Sequence, residues 1–243
     1  MAKTFFEISK QECLFLYQEL VANCERHFRI AQLLADNGEY GTAISHRVLG
    51  AEELVKAMII YFDGIGLNLR RVSGISKLFR DHKTRHAITF NFVLMATTLK
   101  PMLEIVERIR VYLHFPDSRI NLNELENAII FNDQNKVEQT AKLFGENLVS
   151  KIENQLDFWF VADDYKMKGF YVDFKNTLQS PGQISKLEYK NAFDATEKFH
   201  KECFKLISYT KSLSDNDRKS FVDTINKSEL FYNMIEQFFI IIN

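Results

Sequence analysis

Residues 40–62 read YGTAISHRVLGAEELVKAMIIYF, and this stretch decides the fold. Ile44, Val48, Ala51, Val55, Met58 and Phe62 recur at steps of three and four, which is the period of an α-helix. The remaining faces carry Leu49, Leu54, Ile59 and Ile60, so the helix is apolar nearly all round. Such a helix belongs at the centre of a bundle or in an oligomer interface. Its charges are few and placed inward: Arg47 lies within the stripe, Glu52 at its edge, and Lys56 four residues beyond Glu52. Buried charges demand partners, so an interhelical polar network is expected around Arg47, Glu52, Glu53 and Lys56, serving as a structural salt bridge or a catalytic group. Asp63-Gly64-Ile65-Gly66 ends the helix.

Toward the N-terminus, Ser9 followed by Glu12 forms a capping-box signature. After it Cys13, Tyr17, Leu20, Cys24, Phe28, Ala31 and Ala35 recur at helical steps until Asn37-Gly38, where glycine supplies a left-handed cap. Toward the C-terminus, a third helical pattern runs from near Ser76 to Lys100, and Pro101 kinks it or starts a new helix. Further helices are expected over 101–115, from Asn121 through Phe131, and along Val137 to Trp159. From Asp163 to Gly182 the pattern fails, with a β-like island at 169–174 and a Ser180-Pro181-Gly182 break. Two more helices follow, roughly Ile184 to Leu213 and Asp217 to Ile241, the second capped by Ser214.

Composition agrees with this layout. The 243 residues include 22 phenylalanines but only three prolines and nine glycines, too few for the frequent turns of sandwiches or doubly wound α/β folds. The expected class is all-α, a helical bundle with an additional C-terminal helical pair, divided as 1–182 and 183–243. With 31 Lys and Arg against 32 Asp and Glu the net charge is −1, so any polyanion-binding surface must be local. Cys13, Cys24 and Cys203 sit in apolar patterns and read as reduced core thiols of a cytoplasmic protein. No signal-peptide pattern opens the chain, and the apolar run 238–242 is far short of the ~20 residues that span a bilayer. No membrane association is expected.

The one concentrated charge lies in 70–86, where Arg70, Arg71, Lys77, Arg80, Lys83 and Arg85 face Asp81 alone, six cations against one carboxylate for a local net of +5. Such a stripe either positions phosphates or is a solvated helix start. Within it stands Phe79-Arg-Asp-His-Lys-Thr-Arg-His86. On a helix, His82 and His86 share a face with Phe90 and Val93, with Arg85 beside His82. A histidine pair at this spacing can bind a metal, but no HExxH pattern accompanies it and no third ligand is identified, so neither metal nor cofactor is assigned. The other chemistry is metal-free cleavage of RNA by its own 2′-hydroxyl. It needs a base, an acid and cations on the phosphorane, which histidine and arginine supply near neutral pH. On this reading Arg80, His82 and His86 are catalytic, while Lys83, Arg85, Arg71 and Lys77 hold phosphate; the structural alternative packs the histidines against a neighbouring helix. His27 reads as a core histidine, His200 as an edge residue, and Arg108 with His114 repeats the arginine–histidine spacing.

Three blocks together resemble the AbiV-type abortive-infection proteins of the HEPN superfamily. The first is Asn37-Gly38-Glu39-Tyr40-Gly41-Thr42-Ala43 leading to Ala51-Glu52-Glu53-Leu54-Val55-Lys56-Ala57. The second is Phe79-Arg80-Asp81-His82-Lys83-Thr84-Arg85, similar to the family's Phe-Arg-x-His-Lys-x-Lys. The third is Lys168-Gly169-Phe170-Tyr171-Val172-Asp173 with Ser180-Pro181 downstream, similar to Gly-Leu-Tyr-Val-Asp followed by Ser-Pro. The resemblance covers about residues 10–182. It implies a HEPN helical bundle that dimerises and an anti-phage role in which infected cells are arrested, and it adds Tyr171 and Asp173 to the supporting polar network. It also implies a metal-independent ribonuclease with an Arg-x4–6-His motif, a spacing that Arg80 and His86 satisfy. The position before Gly169-Phe170-Tyr171 offers Lys166 and Lys168 but no histidine. This motivates a second expectation, a non-catalytic helical dimer that binds RNA or a phage or host protein and blocks translation by occupancy. Implied partners are a second copy of the chain, RNA, and a phage-encoded trigger or host translation factor.

Overall fold

In the computed structural model the capping box is formed as the sequence predicts. Helix α1 (Lys10–Asp36) starts on Ser9, whose hydroxyl accepts the Glu12 amide at 3.2 Å while the Glu12 carboxylate takes the Ser9 amide at 2.7 Å. The chain leaves α1 through Gly38 at φ 81° and re-enters helix as α2 (Tyr40–Ile65), which Gly66 closes in the left-handed conformation. The structure describes residues 4–81, 84, 85, 88, 89, 158, 159, 161–174, 178–227, 229, 232 and 236. They belong to one compact unit, Met1–Phe92 with Phe158–Asn243; the other unit, Val93–Asp157, and the helices expected between 101 and 157 lie outside the described residues.

Helix α2 occupies the centre that its apolar faces demand, with Ile44, Val48, Leu54 and Ile60 fully buried. Against it α1 packs closely, because Gly50 faces the Phe28 ring and Gly64 faces Leu14 and Cys13. The Tyr17 and Tyr61 rings meet across this seam at 4.9 Å. After Gly66 the chain makes two short 3₁₀ turns, Leu69–Arg71 and Ile75–Phe79. The helix expected from Ser76 therefore begins later. Asp81 is the reason: its carboxylate accepts the Thr84 amide at 3.2 Å and the Thr84 hydroxyl at 2.6 Å, and Thr84, Arg85, Ile88 and Thr89 are helical.

Helix α3 (161–170) ends at Phe170 and is followed by a two-residue hairpin. Asp173–Phe174 pairs antiparallel with Leu178–Gln179, placing Asp173 opposite Gln179. The β-like island expected at 169–174 is thus half helix, half strand. Helix α4 (Lys186–Ser212) is capped by Ser185 with Glu188, and α5 (Asp215–Lys227) by Ser214, whose hydroxyl accepts the Asp217 amide at 3.2 Å. Residues 229, 232 and 236 are helical as well. Helix α4 joins the core through α2, where Tyr61 and Thr210 hydroxyls meet at 2.8 Å and Arg47 pairs with Glu197 at 2.9 Å. Apart from the small hairpin the described residues form an all-α bundle. Among them no helix is long and apolar enough to cross a membrane.

Candidate functional site

Glu52 is where three distant segments meet. It lies on the buried surface of α2 and is 3% exposed. One carboxylate oxygen accepts the Arg85 Nε at 2.9 Å and the other accepts the Lys166 Nζ at 2.8 Å. Arg85 also donates Nη1 to the Leu78 carbonyl at 2.9 Å, and the Thr89 hydroxyl donates to the Arg85 carbonyl at 2.9 Å. Lys166 reaches a second carboxylate, Asp163, at 2.9 Å. Arg85 and Lys166 are each 5% exposed, so the two cations and Glu52 form a dry cluster, with the half-exposed Asp163 completing its charge balance. The cluster fastens the basic block and α3 onto α2.

Helix α3 approaches α2 closely enough to need small residues. Ser45 donates its hydroxyl to the Lys166 carbonyl at 2.8 Å, and a Cβ at Gly169 would collide with the Gly41 carbonyl and the Ser45 hydroxyl. Gly41 is itself pressed against the Pro181 backbone. Gly41 of the first block, Gly169 of the third with Lys166 three residues before it, and Pro181 downstream are therefore one packing unit.

The other expected site residues are distributed around this cluster. Lys56 pairs with Glu53 and not with Glu52, four residues before it. Arg47 faces α4, away from Glu52, sandwiched 4.6 Å from the Phe28 ring centre and 4.1 Å from that of Phe193. Arg71, Lys77 and Arg80 are exposed along the two 3₁₀ turns and the bend after them. Arg85 is inside, where a phosphate would compete with Glu52. Tyr171 is exposed, and Asp173 is placed by its strand pairing with Gln179. His82, Lys83 and His86 lie outside the described residues, as do Arg108 and His114. Lys166 and Asp163 are the members of the cluster that sequence reasoning did not assign. The signal for them was the carboxylate of Glu52 on a helix with no polar face, which requires a cation from elsewhere in the chain.

Outside the cluster, two histidines pair across α1 and α2. The Nδ1 atoms of His27 and His46 lie 3.0 Å apart, and burial lowers the pKa of each below 6.5. His200 contacts Glu25 at 2.6 Å and packs on Phe28. Cys13, Cys24 and Cys203 are buried free thiols, and burial pushes each pKa up, so none is a ready nucleophile. Among the described residues no group of three or more His, Cys, Asp or Glu side chains is arranged to hold a metal ion.

A family model described as AbiV, of the HEPN group, matches residues 12–201. This chain belongs to the AbiV-type HEPN family. The AbiV match spans α1, α2, the Glu52 cluster and the first half of α4, so the elements that build the cluster lie within the family's reach. No curated protein and no solved structure matches the chain. Membership makes it an abortive-infection protein of HEPN type.

Proposed function

We propose that this AbiV-type protein is a dimeric, cytoplasmic, metal-independent ribonuclease that arrests translation in infected cells. The observation that carries the reading is the Arg85–Glu52 ion pair, which anchors the basic block through the residue immediately before His86. A general acid–base site needs its groups held in place, and a buried ion-paired anchor next to a reacting histidine supports that. One of His82 and His86 removes the proton from the 2′-hydroxyl, whose oxygen attacks phosphorus. The other protonates the departing 5′-oxygen, giving a 2′,3′-cyclic phosphate and a 5′-hydroxyl end. Arg80, with Lys83, Lys77 and Arg71, offsets phosphate charge, and Arg85 acts here as a positioning residue through Glu52. Glu53, Lys56 and Arg47 support α2, while Tyr171 and Asp173 mark the α3 exit.

Purified protein incubated with RNA and EDTA tests the reading. Cleavage by wild type that is lost in His82→Ala and His86→Ala is the expected result; intact RNA in every case overturns it.

A second reading has its own observation. Met167, Phe170, Tyr171, Val172 and Phe174 form an exposed apolar run at the end of α3, a surface suited to a protein or RNA partner. On that reading the protein is a non-catalytic dimer that blocks translation by occupying RNA or a phage or host factor. Specific cleavage products in EDTA eliminate it.

A further inference from the structure

The chain from the end of α2 into the start of the basic block is held by residues beyond the family match. Asn226 donates its side-chain amide to the Gly66 carbonyl at 3.0 Å, and its side-chain oxygen accepts the Asn68 amide at 3.0 Å and the Tyr232 hydroxyl at 2.6 Å. Its main-chain carbonyl accepts Arg71 Nη1 at 3.3 Å. Farther along, the Ser73 amide donates to Glu236 at 3.1 Å. Four residues of the connector are thereby tied to positions 226–236, although the family match ends at 201.

At the centre of this contact the Arg71 guanidinium lies over the Tyr232 ring, with Cζ 3.3 Å from the ring centre. The ring is buried, whereas Arg71 is exposed. Stacking fixes the plane of a guanidinium while leaving edge N–H groups able to meet a phosphate, and it removes rotamer freedom before any ligand arrives. Lys77 and Arg80 are exposed on the same connector. The local carboxylate, Glu236, is engaged by the Ser73 amide.

We propose that Tyr232 and Arg71 form a preorganised phosphate anchor, in which the C-terminal helix holds Arg71 to grip the backbone of a single-stranded RNA entering the basic block. This inference rests on the ribonuclease reading for its ligand. Arg71 is the binding residue and Tyr232, through its ring, a positioning residue; Asn226 holds the connector through Gly66, Asn68 and Arg71.

The test is the salt dependence of RNA binding, measured with a full-length His82→Ala background so that RNA is not consumed. Each phosphate contact contributes about 0.7 to the slope of log K against log salt on a single strand. Arg71→Ala is expected to weaken binding and flatten the slope by about 0.7. Tyr232→Ala is expected to weaken binding in the same direction, and Tyr232→Phe to restore it, since the ring and not the hydroxyl carries the stack. Arg71→Ala is a surface change, so it and Tyr232→Phe decide the matter even if Tyr232→Ala does not fold. An unchanged affinity and slope in Arg71→Ala, alongside RNA cleavage by wild type, overturns the anchor and leaves the ribonuclease reading standing. Failure of the background protein to bind RNA at any salt, with no cleavage by wild type, overturns both.

Discussion

Arg47 and Glu52 lie five residues apart on α2, both buried, yet they are held in different ways. Arg47 is packed between two phenylalanine rings and meets one carboxylate, Glu197, which is 30% exposed; its Nε has no hydrogen-bond partner among the described residues. Glu52 meets two buried cations and uses both oxygens. The first arrangement joins α2 to α4 chiefly by stacking and packing, with water able to reach the acid. The second excludes water and depends on all three partners being present. A charge that three segments must complete together fixes their mutual placement more sharply than a stacked cation does.

Removing the Glu52 carboxylate is the strongest way to break this contrast. Glu52→Ala leaves Arg85 and Lys166 buried without their shared acid and is expected to cost about 3–5 kcal/mol in urea denaturation. A loss no larger than that of Arg47→Met would erase the distinction. The next effect in size comes from the close approach of α3. Gly169→Ala is expected to cost about 1–3 kcal/mol, because the new methyl meets the Gly41 carbonyl and the Ser45 hydroxyl. Gly182→Ala, where nothing lies within 4 Å, is the control and should stay within about 0.5 kcal/mol.

Arg47→Met keeps an apolar stem between Phe28 and Phe193 and frees Glu197 to hydrate. A cost of about 1 kcal/mol is expected by thermal or chemical denaturation, well below the Glu52 effect. The smallest effect is the pH response of the His27–His46 pair. Burial lowers both pKa values in the fold, so the unfolded chain binds more protons below pH 6.5. Stability is therefore complete above 6.5 and declines as pH falls through the histidine range. His46→Gln should show a shallower decline between pH 7.5 and 5.5 in the denaturation midpoint, and an unaltered profile would exclude the pair as its source.

These contrasts also show what periodicity and caps can and cannot convey. Ser9 with Glu12, Gly38, Gly66 and Ser214 act within four residues of the groups they satisfy, so the ends of α1 and α2 and the start of α5 follow from local spacing. The burial of α2 follows from its apolar faces. The partners of Glu52 are 33 and 114 residues away, and no local pattern names them. The nearer cation, Lys56, is taken by Glu53 on the less buried side of the helix. The late helix start was visible in principle, since Asp81 three residues before Thr84 is a capping arrangement, but the apolar steps from Ser76 masked it. Nothing periodic marks Tyr232 as the platform of Arg71, because the contact depends on where the chain beyond α5 meets the connector.

The proposed ribonuclease is tested most directly by sequencing RNA 5′-hydroxyl ends from phage-challenged cells that express either wild type or His86→Ala at matched levels. The account predicts discrete 5′-hydroxyl ends that accumulate with wild type and vanish with His86→Ala. Translation arrest by both proteins with no such ends in either would contradict it.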